Sequence, residues 1–342
     1  MNLVAVVALL FAHLSPHTPP NNLWFMTLFG MAYPLILIIN IAFIIYWLFR
    51  AKIWLFISLV PIIYGYSHIY KYFQFNPKNE IKTEKRIKYL DMNVKSFMEK
   101  KSQDKLYAFF DYLKEAQPDI LVFQEYDVIK KINNKPVTKY ILETIKTPMY
   151  YSLKKNNRQR EQAIFSKYPI IKTGEVIFSN NRYVNGVIWA DIVCFKDTLR
   201  IINVHLQSYG ISQNIQMDKL DEKEYAIEES KNVITRIKNG TQKRVVQMQE
   251  LLALIKETPY KIILSGDFND PPMSYSYHQM SNVLKDAFME SGNGLGGTFV
   301  GPFPSYRIDY IFHSPEIISN NFERGKNYQS DHRLIECELA WE

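Results

Sequence analysis

The first seventy residues contain no aspartate or glutamate and only two bases, Arg50 and Lys52. Within them, Leu23 to Phe49 runs 27 residues without a charge. As one helix rising about 1.5 Å per residue it would reach about 40 Å, against a bilayer hydrocarbon core of about 30 Å, so it is long enough to span with tilt. Pro34 and Asn40 interrupt the run, which a span packed against neighbours tolerates. A second run, Ile53 to Ile69, is about the shortest that can span, and Leu3 to Ala12 adds a third only if Met1 to Ser15 inserts as one piece. A signal peptide followed by a buried core helix fits less well, because the start lacks a basic n-region and a small-residue cleavage site. Residues 1–70 are therefore expected to be a membrane anchor of two or three transmembrane helices in contact with a lipid bilayer.

Orientation rests on few charges. Arg50 and Lys52 flank Ala51 in a tight turn that the positive-inside rule keeps in the cytoplasm, which sends everything after Ile69 to the opposite side. Lys71, Lys78, Lys82, Lys85, Arg86 and Lys88 pull the other way. The turn is given more weight, since a folded domain can translocate despite its charges.

Past a linker at 71–83 carrying Pro77, the pattern changes to short alternating elements. Residues 71–342 hold 39 bases and 34 acids, an excess too mild to mark a nucleic-acid binder yet compatible with an anionic substrate. Strands are expected at Ile87–Met92, Ile120–Phe123, Ala163–Ser166, Val187–Phe195, Leu199–Leu206, Ile262–Ser265, Ile308–Phe312 and Leu334–Ala340. Helices are expected at Ser102–Gln117, with Leu106, Phe109, Phe110 and Leu113 on one face, and at Thr241–Lys256. Ser212–Asn239 reads as an exposed, partly helical insertion. So many strands with few helices favour an α+β fold, two packed sheets covered by helices in a four-layered α/β/β/α sandwich. Cys194 and Cys337 lie in apolar strand-like runs and read as buried small hydrophobes, a disulfide being the alternative in an oxidising compartment.

Apolar strands in this region repeatedly end in a polar side chain: Asn93 in YLDMN, Glu125 in ILVFQE, His205 in IINVH, Asp267 and Asn269 in SGDFN, Asp309 in RIDYIF, with Asp331 and His332 in SDHRL. If these ends converge on one rim, hard oxygen donors such as Glu125 and Asp331 suit Mg2+ or Mn2+ better than zinc. The histidines could move protons or face a phosphate oxygen, and the asparagines could donate to one without adding negative charge. Such a set needs no covalent nucleophile, and metal-assisted attack of water on phosphorus is its natural chemistry. A carboxylate inside an apolar strand, as at Asp309, needs a partner, and His332 can be it. His13, His17, His68, His278 and His313 fit no such position and read as structural. The glycines at 292, 294, 296 and 297 precede no phosphate-loop lysine and read as a flexible loop near the site.

The ordered blocks KYLDMNV, PDILVFQE, AIFSKYPI, INVHLQS, ILSGDFND, RIDYIF and SDHRL, over about residues 84–342, resemble the endonuclease/exonuclease/phosphatase superfamily, and the apolar N-terminus resembles its membrane-anchored bacterial branch. The resemblance implies a divalent-metal-dependent hydrolase of phosphoester bonds, with Glu125 as principal metal ligand, Asn93 orienting metal or phosphate and Asp331 supporting the metal. Asp267 and Asn269 would position the attacking water and the phosphate, Asp309 would orient His332, and His205 would contact the phosphate or leaving group. Whether Asp267 or His332 is the base stays open. So does the substrate: DNA or RNA, for which Lys154, Lys155, Arg158 and Arg160 form a candidate patch, or a phospholipid of the sphingomyelin type. A non-catalytic binding module is the competing class. The expected location is a bacterial inner membrane, with the catalytic domain periplasmic or extracellular. The block before AIFSKYPI reads RQREQA where many members have a glycine-containing turn, so loop shape there departs from the family.

Overall fold

The computed structural model describes residues 1–76, 83–97, 103–127, 130–132, 134–152, 161–178, 185–210, 223–300, 305–326, 328 and 330–342, apart from the side chains of Gln103, Glu161 and Lys223. Two compact units are present. A helical unit comprises Met1–Tyr72, Gln207–Gln249 and Asn269–Met280, and a sheet unit comprises Phe73–Leu206, Glu250–Phe268 and Ser281–Glu342.

The sheet unit contains two six-stranded sheets. Their strands are β1 (Arg86–Asn93), β2 (Ile120–Tyr126), β3 (Met149–Ser152), β4 (Glu161–Ser166), β5 (Ile170–Ile177), β6 (Gly186–Cys194), β7 (Asp197–His205), β8 (Lys261–Asp267), β9 (Lys285–Asp286), β10 (Asp309–His313), β11 (Ile318–Arg324) and β12 (Ile335–Ala340). The first sheet runs β11-β12-β1-β2-β4-β3 and the second β9-β10-β8-β7-β6-β5. Each has one parallel pair, β1 with β2 and β7 with β8, among antiparallel neighbours. Between the sheets, Tyr89, Val122, Ile164, Ile335 and Cys337 of the first meet Ile188, Cys194, Ile201, Ile263 and Ile311 of the second. On the other face of the first sheet, Leu90, Met92, Leu121, Phe123 and Phe165 pack under Leu106, Phe109, Phe110 and Leu113 of helix Gln103–Ala116 and Val137 and Ile141 of helix Val137–Thr144. A strand buried on both faces carries no polar alternation, which is why β2 reads as an unbroken apolar run from Ile120 to Phe123 before Gln124 and Glu125. Both cysteines are free and buried.

The expected strands are all present, within a few residues at their ends. Strands β3, β5, β9 and β11 add to them; β5, largely exposed, has no apolar run to reveal it. The glycine-rich segment is a paired element rather than a flexible loop: Asn293–Leu295 lies antiparallel to Phe73–Phe75. Most of the linker, 77–82, and the start of the expected insertion, 211–222, fall outside the described residues. From Lys223 that insertion is helix, continuous with the expected one as a 34-residue element ending at Lys256. Gly240 sits inside it where a Cβ would stand 3.0 Å from the Tyr209 ring, so close packing accounts for a residue that otherwise weakens a helix.

In the helical unit the apolar N-terminus folds into short helices: Asn2–Leu14, Pro20–Leu23, Met26–Met31, Tyr33–Phe49, Phe56–Tyr64 and Tyr66–Tyr70. This corrects the expected spans. The run Leu23–Phe49 breaks at Ala32, just ahead of Pro34, where the ring removes a backbone donor and restricts the residue before it. The second run breaks at Gly65. Tyr33–Phe49 has 17 residues, about 26 Å, and among the described residues no helix is long and apolar enough to cross a membrane. Asn40, expected to interrupt a span, instead ties the helices together. Its amide donates to the carbonyls of Ala5 (3.0 Å) and Ile36 (2.9 Å), while Ser58 Oγ lies within hydrogen-bond distance of its oxygen (2.9 Å) and of Asn2 Oδ1 (2.7 Å). Polar contacts of this kind hold helices together where the surroundings are apolar.

Candidate active site

In the sheet unit the parallel pairs carry their polar residues to the carboxyl ends of the strands. Asn93 lies opposite Gln124, and His205 opposite Asp267. Asp309, the first residue of antiparallel β10, also lies opposite Asp267. The close approach at β8 depends on Gly266: its φ is +138°, and a Cβ there would stand 2.0 Å from the Val204 carbonyl oxygen. A side chain at this position would push Asp267 away from His205.

Asp267 is at the centre. Its Oδ2 accepts from Asn93 Nδ2 at 3.0 Å and lies 3.7 Å from His332 Nε2 and 3.9 Å from His205 Nε2. Asn93 Nδ2 is also 3.5 Å from Glu125 Oε1, which is 4.0 Å from His205 Nε2. A bulge in β2 sets Glu125 in a left-handed conformation (φ 49°) and half-exposes it. Behind His332, both Asp309 oxygens sit 2.9 Å from Nδ1. Asp309 is itself fixed by its backbone N–H donating to Thr298 Oγ1. Burial pushes the His332 imidazole toward neutrality, but the charges of Asp309 and then Asp267 outweigh it and raise its pKa to about 10. This is the cation a buried histidine becomes beside carboxylates. Among the described residues, the His, Cys, Asp and Glu group whose ligand atoms come within 4.8 Å of one another is Asp267, Asp309 and His332.

Of the residues expected from sequence, Asn93, Glu125, His205, Asp267, Asp309 and His332 are thus brought together. Asp331 follows the same rim, with Oδ1 3.9 Å from His332 Nε2. Asn269, two residues past Asp267, is half-buried with a left-handed backbone (φ 53°) and belongs to the helical unit. The patch Lys154, Lys155, Arg158 and Arg160 lies outside the described residues. Of the histidines read as structural, His313 is buried against Glu290 (2.9 Å), and His13 packs on His68 and His17 on His278.

Sequence reasoning missed two features. One is Lys95, whose ammonium lies 2.6 Å from Asp331 Oδ2 and whose backbone N–H donates to Asn93 Oδ1. It opens a turn in which Lys95, Ser96 and Phe97 all have left-handed backbones, φ 44°, 56° and 51°, at a cost of about 1–2 kcal/mol each. The turn is held by Phe97, buried among Phe109, Phe110, Phe123 and Tyr126, and by the Lys130 ammonium on the carbonyls of Ser96 and Phe97. Left-handed non-glycines leave no mark in a sequence. The other is a polar layer between the sheets under the site. Asp91 Oδ2 accepts from Ser265 Oγ (2.7 Å) and Gln124 Nε2 (2.8 Å), and Gln124 and Gln162 both donate to Asn203. Burial holds the Asp91 carboxyl well above the usual carboxylate range. An acid inside YLDMN was the available signal, the same one that exposed Asp309.

A family model described as the Endonuclease/Exonuclease/phosphatase family matches residues 93–332. The chain belongs to that family. It is a phosphoester hydrolase of the nuclease and phosphatase kind, whose members generally depend on divalent metal. A second model, a domain of unknown function (DUF8431), matches residues 1–72. No curated protein matches the sequence. Among solved structures, a humanized TDP2 of D. rerio superposes with a TM-score of 0.54 at 15% identity, covering 75% of this chain and 99% of that one. A family protein from Leptotrichia buccalis gives 0.53 at 17% identity, covering 75% and 100%. D. rerio TDP2 complexed with a single strand DNA product gives 0.53 at 16%, covering 75% and 99%. At these identities the likeness establishes the fold.

Proposed function

We propose that this family member is a membrane-attached phosphodiesterase that uses Mg2+ or Mn2+ and water. The observation that carries the reading is the setting of Asp267, faced by Asn93, His205 and His332, with Asp309 behind His332. Glu125, Asn93 and Asp331 are the groups to hold the ion: the two carboxylates are hard oxygen donors, and Asn93, whose Nδ2 donates to Glu125 and Asp267, orients what they hold. When bound, such an ion polarises a phosphoryl oxygen and makes water a better nucleophile. Asp267 is the group to take the proton from attacking water, because His332, bound to Asp309 through Nδ1, carries its own proton and faces the site through Nε2 as a cation for the phosphoryl oxygens. His205, 3.9 Å from Asp267, is available to the leaving group.

Attachment to a membrane rests on the surface of the helical unit. Leu3, Ile38, Leu48, Val60 and Ile63 are each 60–67% exposed, within a stretch lacking acids, and apolar surface of this extent marks contact with lipid or protein. The charge pattern around Arg50 and Lys52 suggests the outer side of a bacterial cell membrane for the sheet unit. Phosphatase and fluorescent reporters fused after Glu342 test this: phosphatase activity without fluorescence supports it, and the reverse excludes it. The substrate class is either nucleic acid, as the single-stranded DNA product in TDP2 illustrates for that protein, or a lipid phosphodiester at the bilayer. A panel of plasmid DNA, RNA, phospholipid vesicles and inositol phosphates separates them, and steep loss of activity with salt accompanies a nucleic-acid substrate. Absence of turnover on every member, with Mg2+ bound, would support the binding-module class instead.

A further inference from the structure

The site contains a cation of its own, Lys95, placed on the rim carboxylate Asp331. The ammonium lies 2.6 Å from Asp331 Oδ2. It is held there by construction. The backbone N–H of Lys95 is fixed to Asn93 Oδ1, the left-handed turn it opens is pinned at Phe97 and Lys130, and Ser330 Oγ donates to the Asn93 carbonyl (2.6 Å) while accepting from the His332 N–H (3.1 Å). One serine thus ties the strand end before Lys95 to the segment carrying Asp331.

Among the described carboxylates of the rim, Asp331 has the Lys95 ammonium on it and Asp309 has His332 Nδ1. Glu125 and Asp267 each reach the Asn93 amide, with Asp267 also 3.7 Å from His332 Nε2. Two-ion sites need carboxylates serving two centres about 3.5–4 Å apart, and here the acid that would serve the second centre already has an ammonium on it. We infer that Lys95 stands in for a second divalent ion, so that the site takes one ion, at Glu125 beside Asn93, and Asp331 is the anchor of Lys95 rather than a metal ligand. This rests on the metal-dependent reading above and refines its ligand set. A lysine is a compact point charge on a flexible stem, so the fixed turn beneath it is what gives the ammonium a defined place.

The test is Mn2+ binding to the full chain in detergent, read by calorimetry and by electron paramagnetic resonance, with no substrate present. The wild type is expected to bind one Mn2+ per chain with the spectrum of an isolated ion. Lys95→Met should bind two and show a spin-coupled pair, and Lys95→Arg should return to one. Asp331→Asn should keep one Mn2+ with affinity changed less than threefold, since it removes no ligand, and Glu125→Gln should weaken binding at least tenfold. Thermal melts of each variant show that it is folded, and Asp331→Asn gives an independent reading if Lys95→Met is not. A wild type with two coupled ions, a Lys95→Met protein with still one, or an Asp331→Asn protein with tenfold weaker binding would each overturn the inference while leaving metal dependence intact. Absence of Mn2+ binding by the wild type would overturn both.

Discussion

The two units solve opposite solvent problems with the same kinds of residue. In the sheet unit, apolar side chains are turned inward, Val122 and Ile263 meeting between sheets and Leu121 and Phe123 meeting helices, and the charged groups that are buried have partners. In the helical unit the inner contacts are few, Leu9, Ala12, Tyr33, Ile36 and Met273, while long apolar side chains stand outside and the buried polar group Asn40 ties helix to helix. What the contrast teaches is that hydrophobicity alone does not tell a buried core from an exposed apolar surface. The strand segments Ile120–Phe123 and Ile262–Leu264 are as free of polar residues as much of the N-terminus, and exposure separates them.

The contrast is broken most severely at the site. Asp267→Ala and His332→Ala should each lower kcat/KM on bis-nitrophenyl phosphate by about 10³-fold, with no change in partition of the chain into detergent or membranes. Turnover within a factor of ten of wild type in either variant would remove the mechanism.

The complementary change is in the helical unit. Replacing Ile38, Leu48 and Ile63 together by aspartate puts charges on a surface proposed to meet lipid, at a cost of about 2.5–3.5 kcal/mol each in an apolar bilayer setting. Flotation with vesicles should fall from nearly complete to a minor fraction, whereas aspartates at exposed Ile171 and Ile318 of the sheet unit should leave it unchanged. Equal losses from both sets would mean that the helical surface is not special.

Asp309→Asn tests the pairing inside the site. It should lower kcat by about 10²-fold and bring the alkaline limb of the pH profile down from about 10 toward the ordinary histidine value near 6.5. The same pair predicts stability. Since folding raises the His332 pKa, its contribution is complete below about pH 6.5 and declines as pH rises to about 10. The melting-temperature gap between wild type and His332→Gln should therefore narrow across that window; a constant gap would show that His332 does not hold an extra proton in the fold.

The smallest effect is expected at Asp91. Burial raises its carboxyl pKa, against the hydrogen bonds of Ser265 and Gln124, so folding weakens as pH rises above the usual carboxylate range. Asp91→Asn should melt close to wild type at pH 4 and above it at pH 8, by a few degrees. Melting below wild type at pH 8 would indicate an ionised, stabilising carboxylate.

Much of this was legible in the sequence because β1, β2, β7 and β8 close on polar residues, and parallel pairing of β1 with β2 and of β7 with β8 then aligns those ends without further information. Asp309 was legible as an acid in an apolar strand, and Asp91 would have been on the same argument. Lys95 was not, since its place depends on three left-handed residues held by distant partners. Nor was the break of the long apolar run into short helices. Composition counts charges but does not register that Pro34 and Gly65 stop a helix whose neighbours are apolar on both sides, and β5 and β11 are set by pairing rather than by any run of their own.

The central claim, that Asp267 and the groups around it hydrolyse phosphodiesters with a divalent ion at Glu125, is tested most directly by titrating Mg2+ and Mn2+ into EDTA-treated full-length protein in detergent while following bis-nitrophenyl phosphate. The account predicts no turnover before metal is added, saturable recovery with either ion, and failure of Glu125→Gln to recover over the same range. Turnover that persists in EDTA, or full recovery of Glu125→Gln at wild-type metal concentrations, would contradict it.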